Sequence, residues 1–150
     1  MKYKSPMWVL SSRHPRKIPS YVVSAIIPAN LLDIPIIIFL ENFDPVQTIK
    51  KYSPDVIIVS KIFHNDVVDL IKEAKRNNIK VICIFDDWFV DKNNTYKRHL
   101  INLEAAKLSD VSVVKTAEAA KVLKYNLGIA SQFRAARLTH ANLLCRGVYL

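Results

Sequence analysis

Two adjacent carboxylates, Asp86 and Asp87, stand directly after the apolar run Val81-Ile82-Cys83-Ile84-Phe85. A pair of this kind can bind a hydroxyl, serve as a general base or hold a divalent cation. Base catalysis near neutral pH needs a raised pKa, and a like charge close by can supply one. Asp87 is the candidate for that role. Magnesium would need more oxygen ligands than the pair offers. Only Asp91 stands near in sequence, so no metal is expected. The plain alternative is that one aspartate closes the turn after the strand while the other is solvated.

Other side chains with binding chemistry recur at the same kind of place, just past an apolar run. They are Arg13, Lys61, His64, Lys115 and Thr116. Arg13 belongs to a basic loop with His14, Arg16 and Lys17, suited to a phosphate-bearing ligand. His64 suits an acceptor or a phosphate; the favoured alternative is that it hydrogen-bonds the start of the next helix. Lys61 and Lys115 are solvated cations by default. Thr116 would cap a helix whose free N–H groups suit an anion. Trp88 and Phe89 follow the acid pair and would either stack on a sugar face or close the end of the core.

These residues need a scaffold that gathers strand ends, and the chain order provides one. Strands are expected at Met7–Ser11, Ile36–Leu40, Val56–Val59, Val81–Phe85 and Val111–Val114. The Val81–Phe85 strand, a continuous apolar run, is expected to be central and buried on both faces. Between the strands lie helical segments. One starts near Ser20 and is kinked or ended by Pro28; a second runs from Asp44-Pro45 to about Tyr52. A third is capped by Asn65 or Asp66 and stopped at Asn77-Asn78. A fourth runs from Tyr96 to Leu108 behind Thr95, and the last runs from Thr116 to a stop at Gly128. Alternation with short connections predicts an α/β fold. The sheet should be doubly wound and mostly parallel, of five or six strands, with helices on both faces. Right-handed crossovers then bring every strand's carboxyl end to one rim, where ligands bind in open α/β sheets.

Composition narrows the function classes. The 150 residues suit one domain, and a hydrophobic share of 51% is enough for a sizeable core. No apolar run approaches the roughly 18 residues of a membrane span, and the start carries no apolar signal segment, so a cytoplasmic location is expected. Peripheral contact with the inner membrane face stays open. Glycine occurs only at Gly128 and Gly147, which excludes a P-loop and a G-x-G-x-x-G turn. The two cysteines, Cys83 and Cys145, suggest neither a disulfide framework nor a zinc site. Of the net +9, residues 1–32 carry +5 with no acid, residues 33–128 carry +1, and residues 129–150 carry +3 with no acid. The basic ends suit phosphates or simply keep the chain soluble. Nucleic acid is disfavoured as a partner, because no basic stripe interleaved with aromatics is present.

Residues 129–150 differ from the rest. All 15 lysines fall at or before Lys124, and the tail's three basic residues are arginines. Two readings stand side by side: a C-terminal helix with Leu138, Ala141, Leu144 and Cys145 on one face, or run-off sequence from a frameshift or truncation.

Several segments occur in a telling order: Ser24-Ala25-Ile26-Ile27-Pro28-Ala29, Ser53-Pro54-Asp55-Val56-Ile57-Ile58-Val59, Val81 to Asp87, and Leu108-Ser109-Asp110-Val111 leading to Thr116. Across residues 7–128 this resembles the N-terminal domain of bacterial GT-B glycosyltransferases of the group-1 type. The resemblance implies a Rossmann-like acceptor-side domain over residues 1–128, in an enzyme that moves a sugar from a nucleotide-sugar to a glycan or lipid-linked acceptor. No cofactor is implied. The donor would be bound mainly by a second domain or second chain that this sequence does not contain. Arg13, Lys61, His64, Asp86, Asp87, Lys115 and Thr116 would then form the acceptor side. Ser11 to Ser20 lacks the glycine-rich loop of many members, and the isolated chain is expected to be inactive. The competing class is a non-catalytic binding module, Rossmann-like or receiver-like. Against the receiver, Ser11-Ser12 and Ser60-Lys61 stand where its acids would be.

Overall fold

The computed structural model describes residues 5–10, 22–38, 43–60, 62, 64–85, 97–114 and 117–127. Five strands alternate with helices. They are β1 (Pro6–Leu10), β2 (Ile36–Ile38), β3 (Val56–Ser60), β4 (Lys80–Phe85) and β5 (Val111–Val114). The helices are α1 (Ile27–Leu31), entered through a π-helical turn at Val22–Ile26, then α2 (Pro45–Tyr52), α3 (Asn65–Arg76), α4 (Lys97–Leu108) and α5 (Ala117–Leu127). All pairings are parallel, in the order β2-β1-β3-β4-β5. The expected doubly wound α/β architecture is what the chain forms.

The middle strand is β3, not β4. The apolar run at Val81–Phe85 suggested the centre, but sequence order does not set spatial order. The β1–β2 unit goes to one side of β1 and every later strand to the other. All five residues of β3 are buried. In β4 burial alternates instead: Val81, Cys83 and Phe85 are buried, whereas Ile82 and Ile84 are only partly covered. That run is therefore not buried equally on both faces. Its Val81 face meets the larger cluster with Met7, Val9, Ile57 and Val59, under Ile49 of α2, Val67, Leu70 and Ile71 of α3, and Ile101 and Ala105 of α4. Each fully buried branched side chain there contributes roughly 1.5–3 kcal/mol. The opposite face carries Trp8, Leu10 and Ile58 under Ala25 and Ala29, a smaller cluster.

Local chemistry sets the helix ends. Asp44 caps α2: its carboxylate accepts from the N–H groups of Val46 (2.9 Å) and Gln47 (3.1 Å), with Pro45 in the first turn. Ser53 stops that helix in the left-handed region at φ 42°, and Asn78 does so after α3 at φ 57°. Pro28 does not end its helix, which continues to Leu31. A proline in an α-helix crowds the carbonyl four residues back. The wider π turn lies just ahead of Pro28 and the proline falls in the first α turn, so the chain stays helical through it. The third helix is not capped by Asn65 or Asp66; the cap position is His64.

Candidate functional site

Parallel order gathers the carboxyl ends of the strands on one edge. Leu10 of β1 is in register with Ser60 of β3, Ser60 with Ile84 of β4, and Phe85 with Val114 of β5. Between β1 and β3 the strand order reverses, since β2 lies on one side of β1 and β3 on the other. Such a switch point opens a crevice at the carboxyl edge.

The floor of this crevice is built by a contact the sequence reading did not foresee. The Trp8 indole Nε1–H donates to Ser60 Oγ at 2.5 Å, between two buried residues. Trp8 is paired with Ile58, so Ser60 is its diagonal neighbour two residues on, on the same side of the sheet. The bond satisfies a polar group at the end of an otherwise apolar strand, where an unmade bond would be costly. A tryptophan in one strand and a serine ending another were visible in the sequence, but only the β1–β3 register joins them. The hydroxyl is committed to the indole and sealed from solvent, so it is a support for the edge.

Ile62, two residues past β3, turns inward and is buried. His64 follows, exposed, in extended backbone at φ −127° and ψ 148°. Its ring makes no capping hydrogen bond to the start of α3, which corrects the favoured expectation for it. The first bond of α3 is instead backbone to backbone, Val67 N–H to His64 O at 3.2 Å. The imidazole therefore stands at the carboxyl edge without a role in the helix.

Arg13, Lys61, Asp86, Asp87, Lys115 and Thr116 lie outside the described residues, as do Asp91, Trp88, Phe89 and residues 129–150. Their chain positions follow from the strands: position 61 succeeds Ser60, position 86 succeeds Phe85 and position 115 succeeds Val114. The last two strand ends are paired with each other. Among the described residues no group of three or more His, Cys, Asp or Glu could hold a metal ion. No helix among them is long and apolar enough to cross a membrane.

Ionic contacts cluster at the other end of the sheet. Asp110, just before β5, receives Lys75 Nζ at 2.6 Å and the Val81 N–H at 2.8 Å, with Lys80 Nζ at 3.9 Å. Burial pushes its carboxyl up, but the Lys75 and Val81 hydrogen bonds and the two ammonium charges outweigh that and hold it below the usual range. Asp55 ties the same edge: its carboxylate accepts from the Ser5 N–H at 3.0 Å, and its carbonyl from the Lys80 N–H at 3.2 Å. The Asp110 segment carries one of the family-like motifs, yet its aspartate is a structural clamp at the amino edge.

No family model matches the chain, and no curated protein does. Among solved structures 16 chains match. One is a crystal structure of UDP-N-acetylglucosamine 2-epimerase, with a TM-score of 0.53 and 13% identity, covering 82% of this chain. The match takes in 43% of that chain, so this sequence spans less than half the length of the protein it is similar to. At that identity the likeness shows the fold: a Rossmann-like α/β domain of the GT-B type.

Proposed function

We propose that this chain is the acceptor-binding half of a glycosyltransferase, in which a second domain or chain holds the nucleotide-sugar. The observation that carries the reading is the switch point between β1 and β3. It lies on the edge where Lys61, Asp86 and Lys115 each follow a strand directly. The GT-B-type fold supports the reading, and so does the acid pair after β4. Transfer would then be positional and electrostatic. The acceptor oxygen is aligned by this half, Asp87 takes its proton, and the leaving diphosphate is stabilised by the other half.

The similar epimerase favours a second reading, a half of an enzyme that isomerises a nucleotide-sugar. Both readings put a nucleotide-sugar in a cleft between two domains, but only transfer needs an acceptor. Two measurements test the first. Residues 1–150 alone are expected to show no transfer and no tight nucleotide-sugar binding in calorimetry; measured transfer overturns the two-part mechanism. In a two-domain protein carrying this domain, Asp87→Asn should lower turnover by about 10²-fold or more if the acid is the base, with unchanged thermal stability. A loss of about 1 kcal/mol in stability with intact turnover per folded molecule would make Asp87 a turn cap.

A further inference from the structure

The strand β2 is half paired. Among the described strands its one neighbour is β1, whose Trp8 backbone N–H donates to the Pro35 carbonyl at 2.9 Å. Successive residues of a strand turn their N–H and C=O to opposite sides. Pro35 and Ile37 therefore face β1, while Ile36 and Ile38 turn both backbone groups outward. Among the described residues no hydrogen bond takes up those outward groups. Pro35 does not blunt the edge, because the N–H it lacks would have faced β1. Charge does not blunt it either, since Ile34 to Ile38 holds none.

Along this edge runs an open groove of about 450 Å³. Ile34, Ile36 and Ile38 line its strand side, and Ile26, Asn30 and Asp33 line its helix side. Ile26 and Asn30 are one helical turn apart and so share the face turned to the strand. Asp33 follows in left-handed backbone at φ 54°. Asn30 and Asp33 are both exposed, and among the described residues no hydrogen bond or ion pair holds either side chain. The lining thus asks for three things at once. The isoleucines suit hydrocarbon, the carboxylate suits a cation, and the outward backbone groups suit another strand. An extended chain with a lysine or arginine meets all three. Its backbone adds to β2, the side chain's stem lies along the isoleucines, and the charged head reaches Asp33. A second copy paired through the same edge brings no cation, because Ile34 to Ile38 contains no base. A purely apolar occupant would leave the carboxylate partly desolvated and unpaired.

The geometry points to a peptide-docking edge: β2 and its groove bind an extended segment of a partner protein, with a lysine or arginine laid toward Asp33. This does not depend on sugar chemistry, so its test and the transfer assay fail independently. The probe is a labelled peptide, acetyl-Val-Thr-Lys-Thr-Val-amide, in which alternation puts both valines and the lysine on one face. It is titrated into the full chain by fluorescence anisotropy, beside the same peptide with glutamate in place of lysine. The lysine peptide should bind about tenfold more tightly, with the gap narrowing as salt rises. Asp33→Asn should weaken the lysine peptide by about two- to fivefold and shrink the gap. Asparagine tolerates the left-handed backbone at this position, so that variant keeps the fold. Ile38→Pro removes an outward N–H and leaves the bonds to β1, and it should weaken both peptides about fivefold or more. Four outcomes overturn the proposal. They are no saturable binding of the lysine peptide up to about 1 mM, equal affinity for the two peptides, and unchanged affinity in Asp33→Asn. The fourth is a peptide-free dimer that Ile38→Pro splits, which would seat a second copy on the edge.

Discussion

The two edges of the sheet are made of different materials. At the amino edge, Asp110 gathers Lys75, Lys80 and the Val81 N–H, and Asp55 bridges the chain before β1 to the start of β4. Asp55, Lys75, Lys80 and Asp110 all find partners within the domain there. At the carboxyl edge the described residues include the sealed Trp8–Ser60 bond and the Asp44 cap of α2, and the one described site candidate, His64, is exposed and does not cap its helix. One end uses its polar groups to hold strands in place. At the other, the described residues include one side chain, His64, that its helix does not use.

The contrast breaks if substitutions at the two edges cost the same. Asp110→Ala should cost most, about 1–3 kcal/mol in urea unfolding, because it leaves the part-buried Val81 N–H without its acceptor and two lysines without their anion. The same residue sets a pH dependence. Its folded pKa is depressed, so between that value and the unfolded value near 3.9 the unfolded chain binds the extra proton. The stabilisation is complete above about pH 4 and is lost as pH falls through the folded pKa. Asp110→Asn should flatten that part of the pH–stability profile; an unchanged profile would mean that the clamp is not electrostatic.

Trp8→Phe comes next, at about 1 kcal/mol, since Ser60 Oγ would stay buried without its donor. Adding Ser60→Ala should recover much of that loss, as removal of both partners is nearly neutral. Strict additivity of the two changes would show that the bond contributes nothing. His64→Ala should have the smallest effect, within about 0.5 kcal/mol. A larger loss would assign the ring to the fold and blur the difference between the edges.

The fold was largely legible because its elements are punctuated. Asp44-Pro45, Pro54-Asp55 and Asn77-Asn78 bound apolar runs of strand or helix length, and the structure puts a cap or a stop at Asp44, Ser53 and Asn78. Spatial order was not legible. Val81–Phe85 and Val56–Ser60 look alike as runs, and only the crossover from β2 past β1 makes the second the centre. The shared edge was legible, because parallel crossovers fix which end of each strand meets it; of the candidate residues there, His64 alone lies among the described ones. His64 was misjudged: its backbone is extended like that of the capping Asp44, yet its exposed ring makes no bond to the start of α3. Trp8 and Ser60, 52 residues apart, carry no local signal of their contact.

Cys83 sits in the middle of β4, fully buried, with its Sγ–H 3.9 Å from the Ala105 carbonyl and its pKa pushed up to about 12 by burial. Alkylating agents attack the thiolate, the form that burial disfavours in place. The thiol is therefore a clock for breathing of the sheet. Its labelling, followed on the peptide that contains it, runs only as fast as β4 parts from α4, so the rate reports the free energy of that opening. A ligand that grips the carboxyl edge would slow the clock without touching the sulfur.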